Sequence, residues 1–191
     1  MGNVLPLANR LGRLRERIEE VRVWRLRSCV STGPWSADGH SLQPGEPWLQ
    51  RRATDFHCAH FEIPDHWPLE EAVLRLDAGG EALLKIDYTS GPSRSFGHDR
   101  HHREYPLEAR AGSMTVSAIP HGLLGFPEPA PVFLEARLCR VETALDTLLR
   151  TLDTVAVAIE ALADHEVASS LLEACENALA LVSTPTGTQA Y

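Results

Sequence analysis

The chain has 191 residues, 26 acidic against 18 basic side chains, and 43% apolar content. That is long enough for a sizeable core and too evenly mixed for disorder, and a net charge of −8 argues against a general nucleic-acid binder. No apolar run approaches the roughly 18 residues that span a bilayer. The opening MGNVLPLANRLGRLRER lacks the apolar core and small-residue cleavage site of a secretion signal, and Pro6 stands where myristoylation wants Ser or Thr.

The first 27 residues hold seven Arg against three Glu, net +4. In them Leu7, Leu11, Leu14, Ile18 and Val21 recur at spacings of four and three, one apolar stripe along a helix. Arg10, Arg13, Arg17 and Glu20 fall on the opposite face. Residues 28–140 read as β structure. FHCAHFEI at 56–63, AVLRLDA at 72–78, EALLKIDY at 81–88, SMTVSAI at 113–119 and FLEARLCRV at 133–141 are short runs, several alternating with period two, bounded by Pro, Gly or Asp. Gly79–Gly80 between two of them is a two-residue hairpin signal. Strands without intervening helices predict an antiparallel sandwich over 28–141.

Helical periodicity returns at Leu145, Leu148, Leu149, Leu152, Val155 and Ile159. It resumes after Asp164, an expected cap, at Val167, Leu171, Leu172, Cys175, Leu179 and Val182. From residue 141 onward one Arg faces eight acids, net −7. The basic helix of 1–27 is therefore expected to pack on the acidic helical pair of 142–182. Residues 183–191, polar with Pro and Gly, read as a frayed tail or the start of a linker.

Seven of the nine histidines lie between His57 and His121. Zinc needs three or four N, S or O ligands converging at about 2.0–2.3 Å. On a regular strand His57 and His60 point to opposite faces, so only a bulge could bring them to one metal, while Cys58 and His60 share a face. The run His98-Asp99-Arg100-His101-His102 lies in a Gly, Pro and Ser-rich loop where side chains can converge. Asp99, His101, His102 and Arg103 are the polar binding candidates there, and solvated loop residues bonding locally is the alternative. Trp35, Trp48 and Trp67 are candidates for stacking on a sugar, or else plugs at the ends of the sandwich. Cys29, Cys58, Cys139 and Cys175 are scattered without a CxxC pair, which predicts reduced, mostly buried thiols in a cytoplasmic protein. The single lysine, Lys85, alternates with apolar residues in a strand. No GxSxG, HExxH, Walker or GxGxxG motif occurs, and the adjacent Glu70–Glu71 does not set up a two-carboxylate glycosidase pair.

Several stretches are less generic. RLRERIEEVRVWRLRS, ending at Ser28, GEPW at 45–48 and FEIPDHWPLEEAVLRLDAGGEALLKID at 61–87 resemble the N-terminal region of α-mannosidases of glycoside hydrolase family 38. So do DRHHREYPL at 99–107, FLEARLCRVETALDTLLRTL at 133–152 and LADHEVASSLLEACENALALV at 162–182, in the same order along nearly the whole chain. The strongest piece runs from Glu62 to Gly80, with Pro64, Trp67, Pro68, Leu69 and the paired glycines in place.

The resemblance implies an ancillary module: a galactose-binding-like, jelly-roll type β-sandwich with helices leading to a catalytic barrel. It also implies that the catalytic zinc and carboxylate nucleophile belong to that later domain. GHDRHH at 97–102 has the letters of the family's metal segment in the wrong order, so no catalytic residue and no cofactor is expected in this chain. The loop 88–98 departs from the family in its Ser and Gly content. The implied partners are the catalytic domain, a mannose-containing glycan and further copies in an oligomer. A free-standing carbohydrate-binding module would instead need Trp35, Trp48 and Trp67 exposed at one edge. A small metal enzyme or sensor would need the histidines to converge.

Overall fold

In the computed structural model, residues 6–48, 53–121 and 131–182 are described; the reading of 183–191 lies outside them. The chain divides into two units, one from residues up to Arg27 together with those from Glu142, the other Ser28–Val141.

The first unit is helical. Helix α1 (Leu7–Arg22) starts at Pro6, whose carbonyl accepts from the N–H groups of Asn9 and Arg10. Its buried stripe, Leu11, Leu14, Ile18 and Val21, packs with Leu149, Leu152, Ala156 and Ile159 of α2 (Thr143–Ala161) and with Ala168, Leu172, Cys175 and Leu179 of α3 (Val167–Ala180). A fully buried Leu or Ile contributes about 1.5–3 kcal/mol, so this cluster supplies the cohesion. Charge chooses the partner. Arg10, Arg15, Arg22, Arg25 and Arg27 pair with Glu176, Glu160, Asp153, Asp146 and Glu142, each bond joining the basic segment to the acidic one. The start of α3 departs from expectation: Asp164 does not cap it, and the His165 ring accepts the Val167 N–H at 3.2 Å instead.

The second unit is a β-sandwich. A four-stranded sheet runs β1 (Leu26–Ser31), β12 (Glu135–Val141), β6 (Ala72–Asp77), β9 (Glu104–Pro106). A six-stranded sheet runs β3 (His40–Leu42), β2 (Trp35–Ala37), β5 (Thr54–Glu62), β10 (Ala111–Ile119), β7 (Glu81–Tyr88), β8 (Arg94–His98). The short β4 (Glu46–Pro47) and β11 (Val132–Phe133) pair with each other. Strands β5, β6, β7 and β10 pair antiparallel with β2, β9, β12, β8 and one another. One core lies between the two sheets: Leu74, Leu76 and Leu138 from the smaller face Phe56, Leu84, Ile86, Met114 and Val116 from the larger. The outward side of the larger sheet carries a polar row, Ser36, His57, Thr115, Lys85 and Ser95, following one another in register across β2, β5, β10, β7 and β8.

Two expectations are corrected. Gly79–Gly80 does not turn a hairpin: β6 and β7 belong to different sheets, and the two glycines carry the chain across the sandwich. Gly79 has φ +75° and a Cβ there would lie 2.2 Å from the Val132 carbonyl oxygen, so glycine is required at the crossing. Strand β5 carries a bulge at which Ala59 and His60 oppose Ser113 alone, because Phe61 pairs with Gly112 and Cys58 with Met114. The bulge puts Cys58 inside and His60 outside, so the two do not share a face.

The thiols also differ from the reading. Cys29 and Cys139 form a disulfide between the neighbouring strands β1 and β12, whereas Cys58 and Cys175 are free and buried, burial pushing both thiols up. Disulfides persist in oxidising compartments and are rare in the cytosol, so the cysteines no longer argue for a cytoplasmic protein. Among the described residues no helix is long and apolar enough to cross a membrane.

Candidate functional site

The polar groups singled out in the sequence gather where β8 ends and the chain returns to β9. Asp99 opens that return. One of its oxygens accepts the backbone N–H of His101 at 2.6 Å and of His102 at 2.9 Å, and the other lies 2.9 Å from His102 Nδ1. The His102 hydrogen bond, then that from the His101 backbone, hold the Asp99 carboxyl down at about 2. His101 receives the Arg100 guanidinium on its Nε2 at 3.0 Å and takes no further part. Arg103 reaches Asp77, whose side chain is 8% exposed, at 2.6 Å, and Asp77 in turn accepts the Gly79 N–H at 3.1 Å.

Beneath this loop is a pair that the sequence did not single out. His98, 4% exposed, accepts the Ala78 N–H on Nε2 at 3.2 Å. A backbone N–H can only donate, so Nε2 is bare and the ring hydrogen is on Nδ1, 2.8 Å from the Tyr105 hydroxyl. Tyr105 passes its own hydrogen to the His102 carbonyl at 2.5 Å. Burial, with a smaller push from Arg103, lowers the His98 pKa against the opposing pull of Asp77 and Asp99. Burial likewise raises the Tyr105 hydroxyl above its ordinary value. The block 98–105 therefore clamps Asp77, Ala78 and Gly79, the point where the chain changes sheets.

Outside the clamp is an open cleft of about 510 Å³ lined by Glu81, Ala82, Gly97, His98, Asp99 and His102. Register places it: Ala82 stands opposite His98 and Leu83 opposite Gly97. Of the expected residues Asp99 and His102 face it, while His101 and Arg103 do not line it.

The three tryptophans are elsewhere and buried: Trp35 3%, Trp48 7% and Trp67 2% exposed. Trp35 and Phe133 have ring centres 5.3 Å apart, as do Trp48 and Phe56, and the Trp48 indole N–H donates to the Ala78 carbonyl at 2.8 Å. They plug the sandwich, the second of the two readings of these residues, and offer no stacking platform. His57 Nδ1 lies 3.5 Å from the Thr115 hydroxyl, and His60 lies 3.7 Å from Glu62. Among the described residues no group of three or more His, Cys, Asp or Glu is placed to hold a metal ion, so these donors do not fit a zinc site.

No family model matches the chain, and no curated protein matches it. Among solved structures, the second CBM51 domain with the INT domains of Clostridium perfringens ZmpB, determined in complex with GlcNAc, aligns with 84% of this chain at 8% identity and a TM-score of 0.22. The alignment spans 45% of that chain. A likeness of this size carries no argument about fold or ligand.

Proposed function

We propose that this chain is a non-catalytic accessory module of a glycoside hydrolase, of the kind found ahead of the catalytic barrel in zinc-dependent α-mannosidases. The sandwich is then of the galactose-binding-like, jelly-roll type. Its role is to dock on the catalytic domain, support assembly into an oligomer, and border the substrate's approach.

One observation carries the non-catalytic reading: the polar side chains densest in chemistry are spent on structure. Asp99 holds two backbone N–H groups, His98 holds Ala78, and Arg103 neutralises the buried Asp77. These side chains are committed to holding the main chain and a buried charge. The resemblance supports the choice of parent. The stretch that carries it best, Glu62 to Gly80, supplies the plug Trp67, strand β6 and the glycine crossing, which are the positions that define this sandwich. Leu83 and Ile119, 54% and 39% exposed on the outer face of the larger sheet, are apolar surface suited to a partner.

The test is enzymatic and then cellular. The purified chain should hydrolyse no aryl α-mannoside above blank with zinc or cobalt present. An antibody raised against it should detect, in the source cells, a product several times heavier than 21.1 kDa. Turnover that co-purifies with the chain and vanishes in a point variant would refute the proposal. So would a native product of 21.1 kDa.

A further inference from the structure

The charges of the helical unit answer one another almost completely, and the remainder is informative. Of the seven arginines in residues 1–27, five pair with acids of the C-terminal segment. Arg13 has no hydrogen-bond or ion-pair partner among the described residues, and Arg17 has Glu20 alone, one turn along its own helix. Of the eight acids after residue 141, five hold those arginines and Glu173 lies in the field of Arg10. Asp164 and Glu166 have no partner among the described residues. Two cations and two anions are left over.

Each leftover pair sits beside apolar surface. Arg13 and Arg17 wall a groove of about 280 Å³ between α1 and α3, with Leu14, Leu179, Ala180 and Val182 along it. Asp164 and Glu166 lie in the turn between α2 and α3, flanked by Leu162 and Val167, which are 40% and 37% exposed. Two free acids between aliphatic side chains complement two cations over an aliphatic floor. The two patches cannot meet within one chain. The turn is at the start of α3 and the groove at its end, and 14 residues of helix hold them about 20 Å apart. Two copies lying antiparallel bring each turn to the other's groove, so a single twofold axis satisfies both. Each copy has a net charge of −8, but repulsion beyond about 8 Å is largely screened at physiological salt, while contacts inside the groove are not.

We infer that the helical unit is a self-association surface: the 162–167 segment of one copy seats in the Arg13–Arg17 groove of a second copy, and the reverse. The inference rests on the assembly role proposed for the accessory module and names the surface that carries it.

Sedimentation equilibrium of the full chain tests it. At about 0.15 M salt the mass should rise with concentration from 21.1 kDa to twice that value and stop there. Arg13→Glu with Arg17→Glu, and separately Asp164→Arg with Glu166→Arg, should each weaken association more than about tenfold, because like charges then meet across the contact. The four side chains are exposed, so the helical circular dichroism should not change. Mixing the two double variants restores opposite charges at both contacts, reversed at one and native at the other. The mixture should therefore form the dimer that neither variant forms alone, a rescue that a folding defect would not allow. A chain that stays monomeric up to about 0.5 mM would overturn the inference. So would a dimer that both double variants leave intact, a mixture that stays monomeric, or a mass that climbs past twice 21.1 kDa. The accessory-module reading stands or falls separately, on the hydrolysis assay and the size of the native product.

Discussion

In the helical unit the charged side chains range from the rim, where Arg15 and Glu160 are 45% and 64% exposed, to the half-covered pair of Arg25 and Asp146, at 12% and 19%, and these pair with one another. In the sandwich they go inside. Asp77 and His98 are nearly sealed, and each holds a backbone N–H of the crossing between the sheets. The contrast has a physical origin. A helix satisfies its own backbone, so its packing needs only an apolar stripe. A chain that leaves one sheet for another exposes peptide groups that no ladder pairs, and side chains must be buried to meet them. The helical unit therefore has polar groups that choose partners, and the sandwich has polar groups that hold the main chain.

The largest expected effect falls on the crossing. Gly79→Ala adds a Cβ at 2.2 Å from the Val132 carbonyl oxygen at a positive φ. It should cost on the order of 4 kcal/mol in chemical denaturation, with amide exchange rising in β6 and β11. Leu149→Ala removes a side chain with no exposed surface from the helical cluster and should cost about 3 kcal/mol. Its exchange signature should be confined to α1, α2 and α3. Equal loosening of the strands would break the comparison.

His98→Gln should cost about 2 kcal/mol through lost or strained hydrogen bonds, and it also sharpens the comparison through pH. His98 titrates near 6.5 when unperturbed, and burial lowers it in the fold. Below pH 6.5 the unfolded chain binds a proton that the folded chain refuses. Stability therefore falls as pH drops from there toward the lowered folded value, and is level above it. Unfolding curves at stepped pH should show that slope in the native chain and lose it in the variant. A second loss, setting in below 3.8, comes from Asp99, held at about 2, together with Asp87, which the Lys85 hydrogen bond also holds down, and should persist in both. Smallest of all, Arg15→Ala should change stability by less than about 0.5 kcal/mol, measured by thermal unfolding.

The helices were legible because their information is local. Each stripe residue repeats every three or four positions, and opposite net charge at the two ends of the sequence pointed to the partner. The five main strands were legible for the same reason, through alternation. Strand β8, RSFGH, has almost no alternation, and β2, β3 and β9 are three residues long, so neighbours and not their own pattern make them strands. Gly79–Gly80 misled because two runs joined by two glycines look the same whether they pair together or part. Their partners, β12 for β6 and β10 for β7, are set by contacts far along the chain. The disulfide joins residues 110 positions apart, a separation without a signature. Of the cleft, Asp99 and His102 could be read from their crowded loop. Glu81 and Gly97 looked like ordinary members of strand-like or loop-like runs, and only the Leu83–Gly97 register brings them to one edge.

The bond between Cys29 and Cys139 has a topological consequence. It joins the first strand of the sandwich to the last, so the polypeptide between them is a closed ring with the helical segments attached as two tails. A protease that cuts once anywhere in the ring leaves a single covalent molecule, and its two fragments separate only after reduction. A cut in either tail leaves two pieces with no covalent link, held only by the packing and ion pairs of the helices. The sandwich can thus be nicked in a loop and keep all its strands together, a tolerance that the helices do not share.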